Sequence, residues 1–223
     1  MSAPDTLNIR DSARLSMHFL QNNVDFNRGM SPYFYTLYSE DPVEAQHNPW
    51  DYCENPGRYL YAFYSARAVL GDKNETETEK AQKKLLYARF EEDDGLCYRP
   101  ATSPYGRIRH VADLWDNRSV FMGLLLNSVL TGDTEARKCA DRLAVAMRRI
   151  AVKSPDGYYY STPVVPPGYV PDPDEKADIG QNMGGWITPL KKYSDIIGDE
   201  SAFDLANGLA EFIVRRMNVD EGI

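Results

Sequence analysis

The sequence is poor in cysteine and has no long apolar run. Its three cysteines, Cys53, Cys97 and Cys139, are odd in number and lack CxxC spacing, which argues against a disulfide framework or a structural zinc site. We therefore expect no metal and no cofactor. No window approaches the apolar length of a membrane span, and residues Met1 to Arg14 lack the apolar core of a secretion signal. We expect a cytoplasmic protein without a membrane partner.

An excess of positive charge is also missing. The chain has 25 Lys and Arg against 33 Asp and Glu, a net charge of −8, whereas binding to nucleic acid needs a basic face. The densest basic cluster, Arg107, Arg109 and His110, is followed by Asp113 and Asp116, and this mixture is more typical of a polar pocket. We expect no nucleic-acid partner.

Aromatic residues, in contrast, are plentiful. The 223 residues include 15 Tyr, 8 Phe and 3 Trp, and such side chains suit a surface that stacks against sugars, although a tyrosine-rich core would explain them equally well. The hydrophobic fraction of 43% and the charged fraction of 26% are ordinary for a globular chain. We expect residues 1–223 to form a single domain.

An internal repeat organises the chain. A Gly-Asp pair follows an apolar run three times, with separations of 61 and 66 residues: Gly71-Asp72, Gly132-Asp133 and Gly198-Asp199. A second acidic-Gly pair lies 22, 23 and 22 residues after these aspartates: Asp94-Gly95, Asp156-Gly157 and Glu221-Gly222. Regular spacing of this kind indicates a repeated supersecondary unit.

Each unit has the hydrophobic pattern of two helices. Tyr59 to Leu70 and Val120 to Leu130 are apolar nearly all round, which predicts inner helices that are buried on most sides. The stretches after the Gly-Asp pairs are apolar on one face, which predicts outer helices; Ala136 to Ile150 and Ser201 to Met217 are examples. The glycine suits a left-handed helix end, and the Asp or Thr that follows can cap the next helix.

The whole chain is therefore predicted as an all-α fold of stacked helical hairpins in two layers. Ser12 to Asn27 reads as an outer helix without an inner partner, so the count is four outer and three inner helices. Open ends of such a stack expose apolar side chains unless they are capped. The last predicted outer helix carries apolar side chains that no following segment of the sequence is predicted to cover: Phe203, Phe212, Ile213 and Val214.

This order of inner helix, Gly-Asp turn, outer helix and Asp-Gly loop resembles the six-hairpin glycosidase superfamily, whose members form an α/α toroid. The resemblance implies a toroid or half-toroid that acts on carbohydrate, without metal or cofactor. Because the chain holds about three and a half hairpins, it implies self-association or a missing C-terminal half that completes the ring. The zinc–cysteine site of the arabinofuranosidases in this superfamily is not predicted: Cys53-Glu54 is suggestive, but Cys97 falls in a loop and Cys139 on a buried helix face.

In such a toroid the ligand pocket lies where the inner helices begin. The three tryptophans, Trp50, Trp115 and Trp186, all fall there and are predicted as platforms that stack against sugar. The alternative is that they plug the mouth of the toroid.

Four carboxylates accompany the tryptophans. Glycoside hydrolysis needs a protonated acid and an ionised base or nucleophile, and the candidates rank as Asp116, Asp51, Glu54 and Asp113. Asp113 and Asp116 stand three residues apart near a helix start, where capping is the alternative role.

Polar residues complete the candidate site. Arg58 and Arg118 occupy matching places in two repeats, where they could anchor a substrate carboxylate or pair with the loop acids. His110 is a candidate general acid or base, and Gln181 a candidate sugar contact at the start of the third inner helix. The proline-rich insertion from Pro163 to Gln181 is predicted as a lid or rim.

These residues favour a glycoside hydrolase that acts on an oligosaccharide through loop carboxylates. A polysaccharide lyase or sugar epimerase in the same pocket is the first alternative, with His110, a tyrosine and an arginine transferring protons. A non-catalytic helical repeat that binds carbohydrate or protein is the second.

Overall fold

The computed structural model describes residues 8–48, 52–101, 110–178 and 181–216, without the side chains of residues 181 and 182. Seven α-helices lie in these ranges: α1 (Ile9–Asn22), α2 (Glu54–Leu70), α3 (Glu77–Tyr87), α4 (Leu114–Thr131), α5 (Thr134–Arg149), α6 (Gln181–Ile197) and α7 (Glu200–Arg216). The predicted all-α fold of repeated hairpins is confirmed. None of these helices is both long and apolar enough to cross a membrane.

The predicted hairpin turns form at the Gly-Asp pairs. Gly71, Gly132 and Gly198 have φ angles of 71°, 74° and 81°, in the left-handed region that glycine adopts without steric cost. Each donates its backbone N–H to the carbonyl four residues earlier, at 2.8, 3.1 and 2.8 Å. The inner helices α2, α4 and α6 therefore end in the same way and turn back into α3, α5 and α7.

The outer helices begin with the predicted Asp or Thr caps. Asp133 accepts hydrogen bonds from the amides of Glu135 and Ala136, and Asp199 accepts one from the amide of Ala202. In the first hairpin Thr76 takes this role and forms a reciprocal capping box with Glu79.

Two layers of helices result. The inner helices α2 and α4 pack closely because glycines face each other: an added Cβ at Gly57 would lie 2.5 Å from the backbone nitrogen of Val120, and one at Gly123 would lie 2.5 Å from the carbonyl oxygen of Gly57. Helix α6 extends this layer beside α4, and α1, α3, α5 and α7 form the outer layer. Helix α1 buries Met17 and Leu20 against Phe63 of α2.

Short antiparallel ladders join the loops. Four two-stranded ladders form within the described residues: β1 (Val24–Asp25) with β2 (Ser31–Pro32), β3 (Tyr35–Leu37) with β4 (Glu44–Gln46), β5 (Ala112–Asp113) with β8 (Val164–Val165), and β6 (Val152–Ser154) with β7 (Gly157–Tyr159). The β5–β8 ladder brings the proline-rich insertion beside the start of α4, which fits the predicted rim.

Candidate functional site

A cavity of about 400 Å³ lies between the first halves of the three inner helices. This is the end of the hairpin stack at which the sequence predicts the pocket. Its lining comes from each inner helix in turn: Arg58 and Tyr61 on α2, Arg118, Ser119 and Met122 on α4, and Gly184, Gly185, Thr188 and Pro189 on α6. The volume is within the range of small-ligand sites.

Two guanidinium groups define the charge of this cavity. Arg118 lies with its Cζ 3.7 Å from the ring centroid of Trp115, a cation–π contact. Burial lowers the pKa of Arg118, and the like charge of Arg58 lowers it further. Within the described ranges no carboxylate is in ion-pair distance of Arg118. The lining thus places a half-buried cation, Arg118, beside a second cation, Arg58.

Gly185 makes room for Arg118. An added Cβ at Gly185 would lie 2.9 Å from Nη1 and 3.2 Å from Cδ of Arg118. At the neighbouring Gly184 an added Cβ would make only an ordinary van der Waals contact, 3.8 Å from Cδ1 of Ile213. The position of Arg118 therefore depends on the lack of a side chain at residue 185.

Glu54 is the carboxylate that contacts Arg58. Its Oε1 accepts hydrogen bonds from Nη2 of Arg58 at 2.5 Å and from Nε1 of Trp115 at 2.5 Å. The carboxylate is nearly buried at the first position of α2, whereas the Arg58 side chain is 52% exposed. Arg58 and Trp115 thus hold the Glu54 carboxylate in place beside the cavity.

The other two described acids of the predicted set do not face the cavity. Arg99 donates to Asp116 from Nε at 2.7 Å and from Nη2 at 3.0 Å, and to Asp113 from Nη2 at 2.9 Å. Asp113 also caps α4 by accepting from the amide of Trp115, so the capping alternative is confirmed for it. Burial raises the pKa of the fully buried Asp116 to about 7 although Arg99 acts to lower it. Arg99 binds both oxygens of Asp116 outside the cavity lining, so the catalytic role of Asp116 stays a prediction that this geometry does not favour.

Comparison with known proteins adds evidence on the fold. No protein-family model matches the sequence, and no curated protein matches it. Among solved structures, the crystal structure of an unsaturated glucuronyl hydrolase specific for heparin superimposes with a TM-score of 0.53 and 15% sequence identity, covering 93% of this chain and 67% of that one. The chain therefore shares the α/α toroid fold of that hydrolase over the matched part. At this identity the similarity shows the fold of the α/α toroid and nothing about activity.

The tryptophans of this α/α toroid differ in their surroundings. Trp186 is 0% exposed, packs against Phe121 and donates from Nε1 to the Leu114 carbonyl at 3.0 Å. The prediction that Trp186 stacks against sugar is therefore wrong, since its ring is part of the core. Trp115 is half-buried, and Arg118 covers one face of its ring. Trp50 lies outside the described residues.

His110 is not brought to the cavity. Its Nδ1 is 3.1 Å from the carbonyl oxygen of Arg99 and its Nε2 is 3.0 Å from Oε1 of Glu92, and its ring stacks on Tyr98. None of these partners lines the cavity, so the role of His110 as general acid or base stays a prediction without support from this geometry. Asp51 and the side chain of Gln181 lie outside what the structure describes.

Several lining residues were missed by the sequence analysis. Tyr61 and Met122 follow Arg58 and Arg118 by three and four residues, so each shares a helix face with the arginine before it. Thr188 and Ser119 add hydroxyl groups to the wall. The helical spacing from the two arginines could have identified Tyr61 and Met122; no pattern in the sequence marks Thr188.

Proposed function

We propose that the cavity binds a sugar that carries an acidic group, and that the chain is a glycoside hydrolase acting on such a sugar. The observation that carries this proposal is the convergence of Arg58 and Arg118, from equivalent places on α2 and α4, on one cavity of sugar size. A guanidinium binds a carboxylate or sulfate with two parallel hydrogen bonds, which gives both affinity and orientation.

The charge balance supports an anionic ligand. Arg58 is paired with Glu54, whereas Arg118 has a lowered pKa, stacks on the ring of Trp115 and interacts with the Glu54 charge only from beyond ion-pair distance. An anion bound between the guanidinium groups would relieve their mutual repulsion and replace the lost hydration of Arg118. Tyr61 offers an aromatic ring and Thr188 a hydroxyl to the body of a sugar.

Glu54 is our candidate for the catalytic nucleophile or base. Hydrogen bonds from Arg58 and Trp115 fix the position of its carboxylate beside the cavity, and a catalytic group must be held in a defined position. A retaining or inverting hydrolase needs a second carboxyl group across the scissile bond. We assign this role to Asp51, which stands three residues before Glu54.

A uronide is the first substrate to test, because the similar solved structure is that of a glucuronyl hydrolase. The test compares hydrolysis of an unsaturated uronide disaccharide, an aryl glucuronide and an aryl glucoside. We expect turnover of an acidic substrate only, and we expect Glu54→Gln and Asp51→Asn each to lower kcat by roughly 10²–10⁴-fold, the usual contribution of general acid–base action.

The matched control is Glu77→Gln, an exposed acid at the start of α3, which should leave kcat unchanged. Near-normal turnover in both Glu54→Gln and Asp51→Asn would remove these residues from catalysis. Binding of acidic sugars without any turnover would instead favour a non-catalytic carbohydrate-binding repeat.

A further inference from the structure

Two cysteines that stand 44 residues apart in the sequence meet in the core. Sγ of Cys97 lies 3.6 Å from Sγ of Cys53, and both residues are fully buried as free thiols. Cys53 precedes the first residue of α2, and Cys97 lies in the segment between α3 and β5. Nothing in the spacing of the cysteines predicted this contact, because it joins residues far apart in the sequence.

The backbone on each side is held independently of the sulfur atoms. The Cys53 carbonyl accepts from the amide of Gly57 at 3.1 Å, in the first turn of α2. The amide of Cys97 donates to Oδ1 of Asn117 at 2.8 Å, and its carbonyl accepts from Nδ2 of the same side chain at 2.9 Å. The protein therefore presents the two thiols to each other from two anchored segments.

We propose that Cys53 and Cys97 are a latent disulfide pair, which closes when a low-molecular-weight disulfide reaches it. One cysteine attacks the reagent disulfide and releases one reagent thiol, and the second cysteine then attacks the mixed disulfide and releases the other. The two cysteines lose two electrons and two protons, which leave with the two reagent thiols. The sulfur atoms must approach by about 1.5 Å to reach a normal S–S bond of about 2.05 Å.

Burial determines how fast this reaction runs. Burial and the neighbouring Cys53 raise the pKa of the Cys97 thiol well above its usual value, and the thiolate is the attacking species. Oxidation is therefore slow at neutral pH and faster in mildly alkaline buffer. Cys139 provides an internal reference, because burial also raises its pKa, to about 11, while no described contact joins it to another sulfur.

The bond would close a long loop beside the candidate site. It would join the residue before Glu54 to the segment between α3 and β5. Cross-links that close long loops restrict the unfolded chain, so we expect the oxidised protein to melt roughly 5–10 °C higher than the reduced protein.

Intact mass and peptide mapping test the proposal without any activity assay. The full chain and its Cys139→Ala variant are incubated, folded, with bis(2-hydroxyethyl) disulfide in mildly alkaline buffer. We expect both to lose the mass of two hydrogens and to yield one cross-linked peptide pair containing Cys53 and Cys97, while Cys53→Ala and Cys97→Ala do not. The melting temperature of the oxidised Cys139→Ala protein should rise.

Three results would overturn the proposal. The first is an unchanged mass after the folded protein has been exposed to the reagent. The second is a stable mixed disulfide at either residue without ring closure. The third is cross-linking that appears only after urea is added, because the pairing would then come from the unfolded chain.

Discussion

Arg118 is the side chain on which the candidate site depends most. Its guanidinium lies on Trp115, lines the cavity and fits only because residue 185 is glycine. Arg58 and Arg118 could be predicted from the sequence because the repeat places them at equivalent positions. The pairing of Asp116 with Arg99 could not, because it joins a helix start to a loop 17 residues earlier and leaves no local pattern.

A pair of adjacent glycines tests the role of Arg118. Gly185→Ala puts a methyl group 2.9 Å from Nη1 of Arg118 and should displace the guanidinium. We therefore expect the affinity for an acidic sugar to fall roughly tenfold or more, which is the loss expected when a charged hydrogen bond is removed. Gly184→Ala is the comparison variant, because it adds a methyl group to the same cavity wall without reaching Arg118. It should lose much less affinity than Gly185→Ala and stabilise α6 by about 0.5–1 kcal/mol. Equal affinities in the two variants would contradict this placement of Arg118.

Among the helices, the C-terminal ends could be predicted from the sequence and the N-terminal ends could not. The C-terminal ends of α2, α4 and α6 could be predicted because a glycine after an apolar run is a local signal. Their beginnings could not: α2 begins at Glu54 rather than Tyr59, and α4 at Leu114 rather than Val120. These first turns carry the charged residues of the candidate site, which interrupt the apolar pattern. The β5–β8 ladder was missed because it joins strands about 50 residues apart.

The cap of α5 makes the second hairpin sensitive to acid. Partial burial acts to raise the pKa of Asp133, but hydrogen bonds from Lys83, the Ala136 amide and Tyr87 outweigh it and hold the pKa at about 2. Because folding lowers this pKa, the ionised carboxylate stabilises the folded state above about pH 4, and this contribution is lost as the pH falls toward about 2.

Replacement of the cap should remove that pH dependence. Asp133→Asn should lower the free energy of unfolding by about 1 kcal/mol at pH 7, less than the full pKa shift would give because solvent screens this partly exposed group. It should also flatten the change of this free energy between pH 4 and pH 2, as measured by urea denaturation. Asp199→Asn, the equivalent cap of α7, should cost less, since Asp199 has no buried lysine partner among its described contacts. If the free energy of unfolding of Asp133→Asn fell between pH 4 and pH 2 as steeply as that of the wild type, this cap would not govern stability in acid.

At the scale of the whole molecule, both flanks of the hairpin stack carry exposed apolar side chains. Leu15 and Phe19 on α1 are 72% and 45% exposed, and Phe203 and Val214 on α7 are 41% and 70% exposed. Contiguous patches of this kind usually mark contact surfaces. A half-toroid that associates with a second copy or with further hairpins would cover them.

Sedimentation of the isolated 223-residue chain tests this expectation. We expect self-association that strengthens with concentration, and we expect Leu15→Asp combined with Val214→Asp to weaken it without unfolding the chain, because both side chains point to solvent. Val145→Asp, at an exposed site on α5, is the control. A chain that stays monomeric over a wide concentration range would show that the stack caps itself.

Calorimetric titration tests the central claim, that Arg58 and Arg118 form an anion site in the cavity between the inner helices. The ligands are a glucuronide and its methyl ester, which differ in charge but hardly in shape. The proteins are the wild type, Arg118→Met and a control, Arg137→Met. Arg137 lies on the exposed side of the outer helix α5. We predict that the wild type and Arg137→Met bind the acid at least tenfold more tightly than the ester, and that Arg118→Met loses this preference, because a charged hydrogen bond is worth about 1.5–3 kcal/mol. Equal affinity of the wild type for the acid and the ester, or an unchanged preference in Arg118→Met, would contradict the account.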